Sequence, residues 1–302
     1  MAVGVGTFVE ESLERATLPD CRPKLDRYLA TWLPAWRNRS LFRDVECFLL
    51  FVGYPRSGHS LVGSLLNAHR NILVGHELNI MHYVKRWFTR NQLYWMLYKQ
   101  DQAFGQIGRQ WTGYDYTVPG QWQGRNESIR VIGDKHGQGA TTVISQDPEA
   151  LPRLRATVGV PVKMLHVVRH PLDNIATMAR KSDLSLEAAA RLYFKLCDTN
   201  QQLLDDRAND MLTVYFEDLI ASPRKELLKI VHFLDMPGHI PYLNDCASIV
   251  FPEPHLTRNT VDWDDELLES IGDRSRFFPF LERYGLSQPA MGRAPMLRRR
   301  AA

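Results

Sequence analysis

Cys47-Phe48-Leu49-Leu50-Phe51-Val52, followed by Gly53-Tyr54-Pro55-Arg56-Ser57-Gly58-His59-Ser60, decides the fold. A short apolar run closed by glycine has the length of a buried strand. The amphipathic stretch from Leu61 to His69 behind it has helical spacing. Strand, glycine-rich turn and helix in that order form a phosphate loop, where backbone N–H groups and a helix N-terminus face an anion. The spacing fits Gly, four residues, Gly, Lys, Ser/Thr, except that His59 stands in the lysine position. The cation has moved upstream to Arg56. In an ATPase the lysine reaches the β- and γ-phosphates, so its replacement argues against ordinary ATP chemistry and leaves the anion cradle intact.

Tyr54-Pro55-Arg56-Ser57-Gly58-His59-Ser60 resembles the 5′-phosphosulfate loop of the sulfotransferases that use PAPS (3′-phosphoadenosine 5′-phosphosulfate). Phe51-Val52-Gly53, Leu66-Asn67-Ala68-His69 and Gly75-His76-Glu77 extend the likeness to the tyrosylprotein sulfotransferase branch. A second block reads as a strand, Val162 to Val168, then Arg169-His170-Pro171-Leu172-Asp173 opening a helix, with Pro171 in its first turn. Leu172, Ile175, Ala176 and Ala179 mark the buried face of that helix, with Asp173, Thr177 and Arg180 on the other. The family's 3′-phosphate site is an Arg at such a strand end and a Ser eight residues on. Arg169 and Thr177 hold those positions, and Thr keeps the hydroxyl.

A third block, Leu212 to Leu219 with Ser222-Pro223-Arg224, is similar to the family's Tyr-Glu-Asp-Leu segment. Phe216 stands there where the family has a Tyr near the adenine; it keeps the ring and loses the hydroxyl. A fourth block, His255-Leu256-Thr257-Arg258-Asn259, lies where relatives close a loop over the 3′-phosphate, and Arg258 is its candidate. The likeness spans roughly residues 47–77 and 129–285.

The resemblance implies a donor site of Pro55, Arg56, Ser57, Gly58, His59, Ser60, Arg169, Thr177, Phe216 and Arg258. Sulfuryl transfer to a hydroxyl needs a base, charge stabilisation and in-line positioning. Glu77 falls on the catalytic glutamate of the tyrosylprotein branch and is the first choice for base. His136, in Ile132-Gly133-Asp134-Lys135-His136-Gly137, is the rival, because cytosolic relatives carry a base histidine in a Lys-x-His element. Arg56 is implied at the bridging oxygen, and Lys135 at the sulfuryl group. His59 is left with two roles, a donor to the phosphosulfate or a space filler. The transferred group carries one net charge, so no metal is expected. The expected products are a sulfate ester and adenosine 3′,5′-bisphosphate. A P-loop small-molecule kinase and a non-catalytic nucleotide-binding protein of the same fold are the alternatives.

The 302 residues suffice for one large α/β domain with a sizeable core. The expected fold is a P-loop-containing parallel β-sheet flanked by helices, sulfotransferase-like, with an aromatic-rich helical insert. Strands are expected at Phe48–Val52, Ile72–Val74, Ile129–Ile132, Met164–Val168 and Leu212–Phe216. Residues 1–44 read as a helical extension packed on the core through Leu13, Leu25, Tyr28, Leu29 and Trp32. Residues 45–288 form the main domain, and 289–302 a basic tail with Arg298-Arg299-Arg300. The insert, 78–126, holds four of the seven tryptophans, which makes it the expected acceptor site; at least half of its rings are expected in the core.

A net charge of +3 is too small for a general polyanion binder, so no nucleic-acid partner is expected. Cys21, Cys47, Cys197 and Cys246 are scattered, without zinc spacing or a disulfide framework. No apolar run reaches the length of a membrane span, and a cytoplasmic enzyme is expected. His82, His166 and His232 read as structural. The sequence leaves open the oligomeric state and which hydroxyl compound accepts the group.

Overall fold

The structure is a computed structural model that describes residues 25–286. The chain enters through α1 (Leu25–Arg37) and a 3-10 turn at Arg39–Phe42. The phosphate-loop unit is β1 (Cys47–Gly53) and α2 (His59–Asn67), followed by β2 (Ile72–Gly75). Next come α3 (Ile80–Val84), α4 (Arg90–Gln106) and a two-stranded hairpin, β3 (Gln110–Trp111) with β4 (Tyr114–Asp115). The sheet resumes with β5 (Val131–Asp134), α5 (Gly137–Gln146), α6 (Ala150–Val158) and β6 (Val162–Val168). Then follow α7 (Pro171–Ser182), α8 (Leu186–Arg207) and β7 (Met211–Tyr215). The chain closes with α9 (Phe216–Ala221), α10 (Pro223–Phe233), α11 (Ile240–Ser248) and α12 (Asp265–Ser275).

Five strands pair in the order β2-β5-β1-β6-β7, all parallel. Central β1 is buried along its whole length, as a continuous apolar run requires in a sheet covered on both faces. Its side chains alternate with a period of two. Phe48, Leu50 and Val52 enter one core cluster with α3 and α4 residues such as Tyr83 and Leu97. Cys47, Leu49 and Phe51 enter the other, with Leu61 and Leu65 of α2 and Leu227 of α10. Truncating a ring buried like that of Phe48 costs about 3–5 kcal/mol.

Register sets the site. Gly53 at the end of β1 pairs with Val167, and Gly75 at the end of β2 pairs with Asp134. The ends of β1 and β6 are level with each other, as are those of β2 and β5, which stop three residues short of Gly53 because Asp134 pairs with Leu50. The residues that follow all four strands emerge at the same edge of the sheet. Parallel open sheets bind ligands at such carboxyl ends.

Four sequence expectations need correction. The β5 strand starts two residues later than Ile129, because its pairing with β1 begins at Cys47↔Val131; Asp134 is thus inside the sheet. Phe216 is not in β7 but opens α9. The insert is helical only to Gln106, after which the chain turns back as the β3–β4 hairpin. In α1, Leu29 and Trp32 are not anchors: they are 64% and 52% exposed, and Tyr28, Ala35 and then Phe42 face the core instead. Leu13, Cys21 and the arginine tail lie outside the described residues. Cys47, Cys197 and Cys246 are buried free thiols. His166 is buried and meets the Tyr54 hydroxyl at 3.0 Å, whereas His82 and His232 are exposed. Among the described residues no helix is long and apolar enough to cross a membrane.

Candidate functional site

The phosphate loop leaves β1 and turns into α2 at Gly58, whose φ is +102°. A Cβ there would meet the Phe216 ring at 2.2 Å, so only glycine fits. Phe216 thus packs on the loop itself, with its other contacts to Phe251. The loop is propped from beneath. Asn174 Nδ2 donates to the Pro55 carbonyl at 2.8 Å, Ser57 Oγ donates to the Tyr54 carbonyl at 3.0 Å, and the Gly53 N–H donates to Thr141 Oγ1 at 2.9 Å. Arg56 has φ +67°, a left-handed conformation that side chains rarely take and that clusters at functional sites. Among the described residues no hydrogen bond or ion pair engages the Arg56 guanidinium. It is a cation without a protein anion.

His59 is buried, set edge-on to Phe51 at 5.6 Å, and a Cβ on Gly137 would meet its Cε1 at 2.3 Å. Burial, helped by the Lys135 charge, pushes its pKa down to about 3, so the imidazole is neutral. The ring fills the space between Gly53, Gly137 and Phe51 and supplies no positive charge where an ATPase has its lysine.

Glu77 lies two residues beyond the end of β2. Its φ is +56° and that of Asn79 is +57°, so the turn is held rather than relaxed. The holder is Asp134, the buried last residue of β5. Its carboxylate accepts the N–H groups of Leu78 at 3.2 Å and Ile80 at 2.6 Å. One residue on, Lys135 is 2% exposed; its Nζ donates to Glu77 Oε1 at 2.5 Å and to Ser60 Oγ at 2.8 Å. Its stem crosses the face of Gly63 in α2. His136 Nε2 lies 3.2 Å from Glu77 Oε2. Burial alone would raise the Glu77 pKa, but Lys135 and His136 outweigh it and hold the carboxyl well below the usual carboxylate range. For Lys135 burial prevails and pulls its pKa down, with Glu77 opposing. Phosphate loop, lysine and carboxylate form one connected unit.

The second half of the cradle is built on β6 and α7. Arg169 Nη1 donates to Thr177 Oγ1 at 3.3 Å, and Nη2 donates to Thr257 Oγ1 at 3.3 Å and to the His255 carbonyl at 2.6 Å. The face of α7 expected to be open carries a buried Asp173 and Thr177, because the turn at Thr257–Thr260 packs on it; Arg180 is exposed. Arg258 does not reach outward in this arrangement. Its backbone N–H donates to Asp173 Oδ1 at 2.7 Å, and its guanidinium pairs with the same carboxylate.

The hairpin overhangs both halves. The Tyr116 phenol lies near Ser60, Thr112 and the Arg56 charge. Tyr114 is half-exposed and close enough to Arg169 to feel its charge. Beside Glu77, the buried His76 ring stacks on Phe104 at 3.7 Å and meets Trp111 edge-on at 4.9 Å. Of the insert's other rings, Phe88 and Tyr94 are core and Trp87 is exposed.

Sequence reasoning missed Asp134, Asn174, Asp173, Thr257 and Tyr116. Asp134 sits inside a quoted strand-end motif and Asn174 one residue beyond another, where a short polar side chain beside a turn is a readable signal. Thr257 and Asp173 meet across more than eighty residues, through Thr177 and Arg258, and Tyr116 arrives on a hairpin; no local pattern announces these.

The sequence profile of the sulfotransferase family matches residues 49–240. Protein-tyrosine sulfotransferase 1 of Danio rerio is 24% identical over 199 residues, which are 63% of this chain and 53% of the relative. This chain therefore spans about half the length of the curated relative it matches. The crystal structure of sulfotransferase STF9 from Mycobacterium avium superimposes with a TM-score of 0.52, covering 92% of this chain and 88% of that one at 9% identity. That likeness shows the fold, a parallel α/β sheet flanked by helices. With the profile spanning well over half of its residues, the chain belongs to the sulfotransferase family.

Proposed function

We propose that this protein moves a sulfuryl group from PAPS to a hydroxyl acceptor, giving a sulfate ester and adenosine 3′,5′-bisphosphate. The observation that carries the proposal is the meeting of Ser60, Lys135 and Glu77 at one point beyond the sheet, linked by the Lys135 bonds, with the Arg56 charge near enough to act on Lys135. The donor set fits a bisphosphorylated nucleotide: a guanidinium without a protein anion at the loop, and an Arg169–Thr177–Thr257 cluster on the other side. The donor supplies an activated sulfuryl group on a phosphate leaving group.

Each residue then has a task. Arg56 and the loop N–H groups hold the 5′ end and take up charge developing on the bridging oxygen. Arg169, Thr177 and Thr257 hold the 3′-phosphate, with Arg258 released from Asp173 as a further cation. Glu77 accepts the acceptor's hydroxyl proton as the acceptor oxygen bonds to sulfur and the sulfur–bridging-oxygen bond breaks. Lys135 links donor binding to base strength. Paired with Lys135, Glu77 is a weak base; when the ammonium turns to the phosphosulfate, Glu77 keeps only His136 and its basicity rises. Two cations serve the single net charge of the transferred group, so the mechanism requires no metal. Trp111, which meets His76 beside Glu77, with Tyr114 near Arg169 and Tyr116 near Arg56, makes the hairpin the acceptor-facing part of the insert. A cytoplasmic site of action is tested by cell fractionation.

Incubating the protein with PAPS and a panel of phenols, sugars, alcohols and tyrosyl peptides tests the proposal. Acceptor-dependent release of adenosine 3′,5′-bisphosphate, abolished by Glu77→Gln, is the expected result. Release without any acceptor dependence, or Mg-ATP turnover in its place, contradicts it.

A further inference from the structure

The first described helix carries its apolar stripe on the wrong side for a core. In α1, Leu29, Trp32, Leu33 and Trp36 recur at i, i+3, i+4 and i+7, one face of a helix. These four are 64%, 52%, 40% and 51% exposed, while Ala35 on the opposite side is buried. The helix is already seated: Tyr28 meets Phe88 edge-on at 5.0 Å, and Gln92 Nε2 donates to the Tyr28 carbonyl at 2.9 Å. Two tryptophans and two leucines therefore face away from a helix whose other side is satisfied. The loop on which α1 sits exposes a third tryptophan, Trp87, at 76%.

Charge accompanies the stripe. Residues 25–44 and 85–90 hold seven Arg or Lys (Arg27, Arg37, Arg39, Arg43, Lys85, Arg86, Arg90) against two Asp (Asp26, Asp44), a local net charge of +5. The whole chain carries +3, so everything outside these two segments sums to −2. The Arg39 guanidinium lies over the Trp36 ring at 4.7 Å, and Arg153 lies over Trp87 at 5.7 Å. A seated helix with a Trp/Leu stripe bordered by arginine is the chemistry of an interfacial helix, in which the rings enter the headgroup boundary and the cations meet anionic lipid.

We infer that α1 and the 85–90 loop form a docking face for an anionic lipid bilayer. The inference does not depend on the transfer chemistry, since none of these residues belongs to the donor cradle or the Glu77 unit. A second copy of the chain is the competing occupant, and the test separates the two.

The full chain is sedimented with vesicles of phosphatidylcholine alone and with vesicles carrying about one third phosphatidylglycerol. Expected are co-sedimentation with the anionic vesicles, weakening as salt is raised, and a blue shift of tryptophan emission on binding. Trp32→Ser/Trp36→Ser should reduce vesicle binding at least tenfold, and Arg37→Gln/Arg39→Gln/Arg43→Gln should reduce both the binding and its salt dependence. An unchanged circular dichroism spectrum and unchanged adenosine 3′,5′-bisphosphate binding show that the variants are folded. Three results overturn the inference: no binding to anionic vesicles, equal binding by the tryptophan variant, or a concentration-dependent dimer lost in that variant without vesicle binding by the parent.

Discussion

The two halves of the cradle handle their cations differently. On the phosphate-loop side, the Arg56 guanidinium has no hydrogen-bond or ion-pair partner among the described residues, and Lys135 is shared between Ser60 and the Glu77 carboxylate. On the α7 side, Arg169 is saturated by hydroxyls and a carbonyl, and Arg258 is neutralised by Asp173. The first half is set to respond to a ligand, because its charges are free to turn or already coupled to Glu77. In the second, Arg169 is already positioned by its hydroxyl and carbonyl partners, and only Arg258 has to leave a carboxylate to reach a ligand. On the proposed reading, chemistry belongs to the ends of β1, β2 and β5, and recognition to the junction of β6 with α7.

Substitutions can break that division. Glu77→Gln is expected to have the largest effect, lowering kcat roughly 10²–10⁴-fold, with nucleotide affinity kept within a few-fold. Single-turnover kinetics beside calorimetry would measure both. Near-normal turnover in that variant would move the base to His136. Arg56→Ala should come next, losing about 10²–10³ in kcat/KM through lost charge stabilisation, provided Arg56 acts on the bridging oxygen.

Arg169→Ala should weaken adenosine 3′,5′-bisphosphate about 10–100-fold, the worth of a charged hydrogen-bonding group. Affinity for adenosine 5′-phosphate should hardly change. Equal losses for both nucleotides would show that Arg169 supports the fold of the cleft rather than the 3′-phosphate. Asp173→Asn frees Arg258 while keeping a group that can bond the Arg258 N–H, and it should change donor KM only a few-fold, with kcat unaffected.

A separate effect, read on the fold and not on turnover, concerns pH and stability. His59 and His166 have pKa values pushed down to about 3, and His170 to about 4, in each case first by burial. Each is neutral when folded and binds a proton when unfolded below about 6.5. The unfolded state therefore holds more protons on the acid side. The stability associated with these neutral rings is complete above about pH 6.5 and declines as pH falls toward the folded values. The slope is roughly 1.4 kcal/mol per pH unit for each histidine. Thermal unfolding from pH 7 to 4.5 should show Tm falling, with a shallower fall in His166→Phe. A flat profile would contradict the buried neutral assignment.

Strand ends were legible in the sequence because each is an apolar run closed by a short polar motif. A parallel sheet gathers such ends, and the family resemblance of their motifs is what singled out Arg56, Ser60, Glu77, Lys135, Arg169 and Thr177. What crosses the chain could not be read this way. Asp173 and Arg258 are 85 residues apart, and nothing local in either segment announces their pairing. The hairpin bearing Tyr116 follows a helix in a stretch whose aromatic content reads as helical throughout. In α1 the large apolar side chains were legible, but their identity does not say which way they point. Leu29 and Trp32 looked like anchors, whereas the smaller Ala35 lies against the body.

Calorimetric titration of the protein with adenosine 3′,5′-bisphosphate, beside ADP and ATP with and without Mg²⁺, tests the central claim most directly. The account predicts tight binding that is independent of Mg²⁺, requires the 3′-phosphate and collapses in Arg169→Ala. Preference for Mg-ATP, or equal affinity for nucleotides lacking the 3′-phosphate, would contradict it.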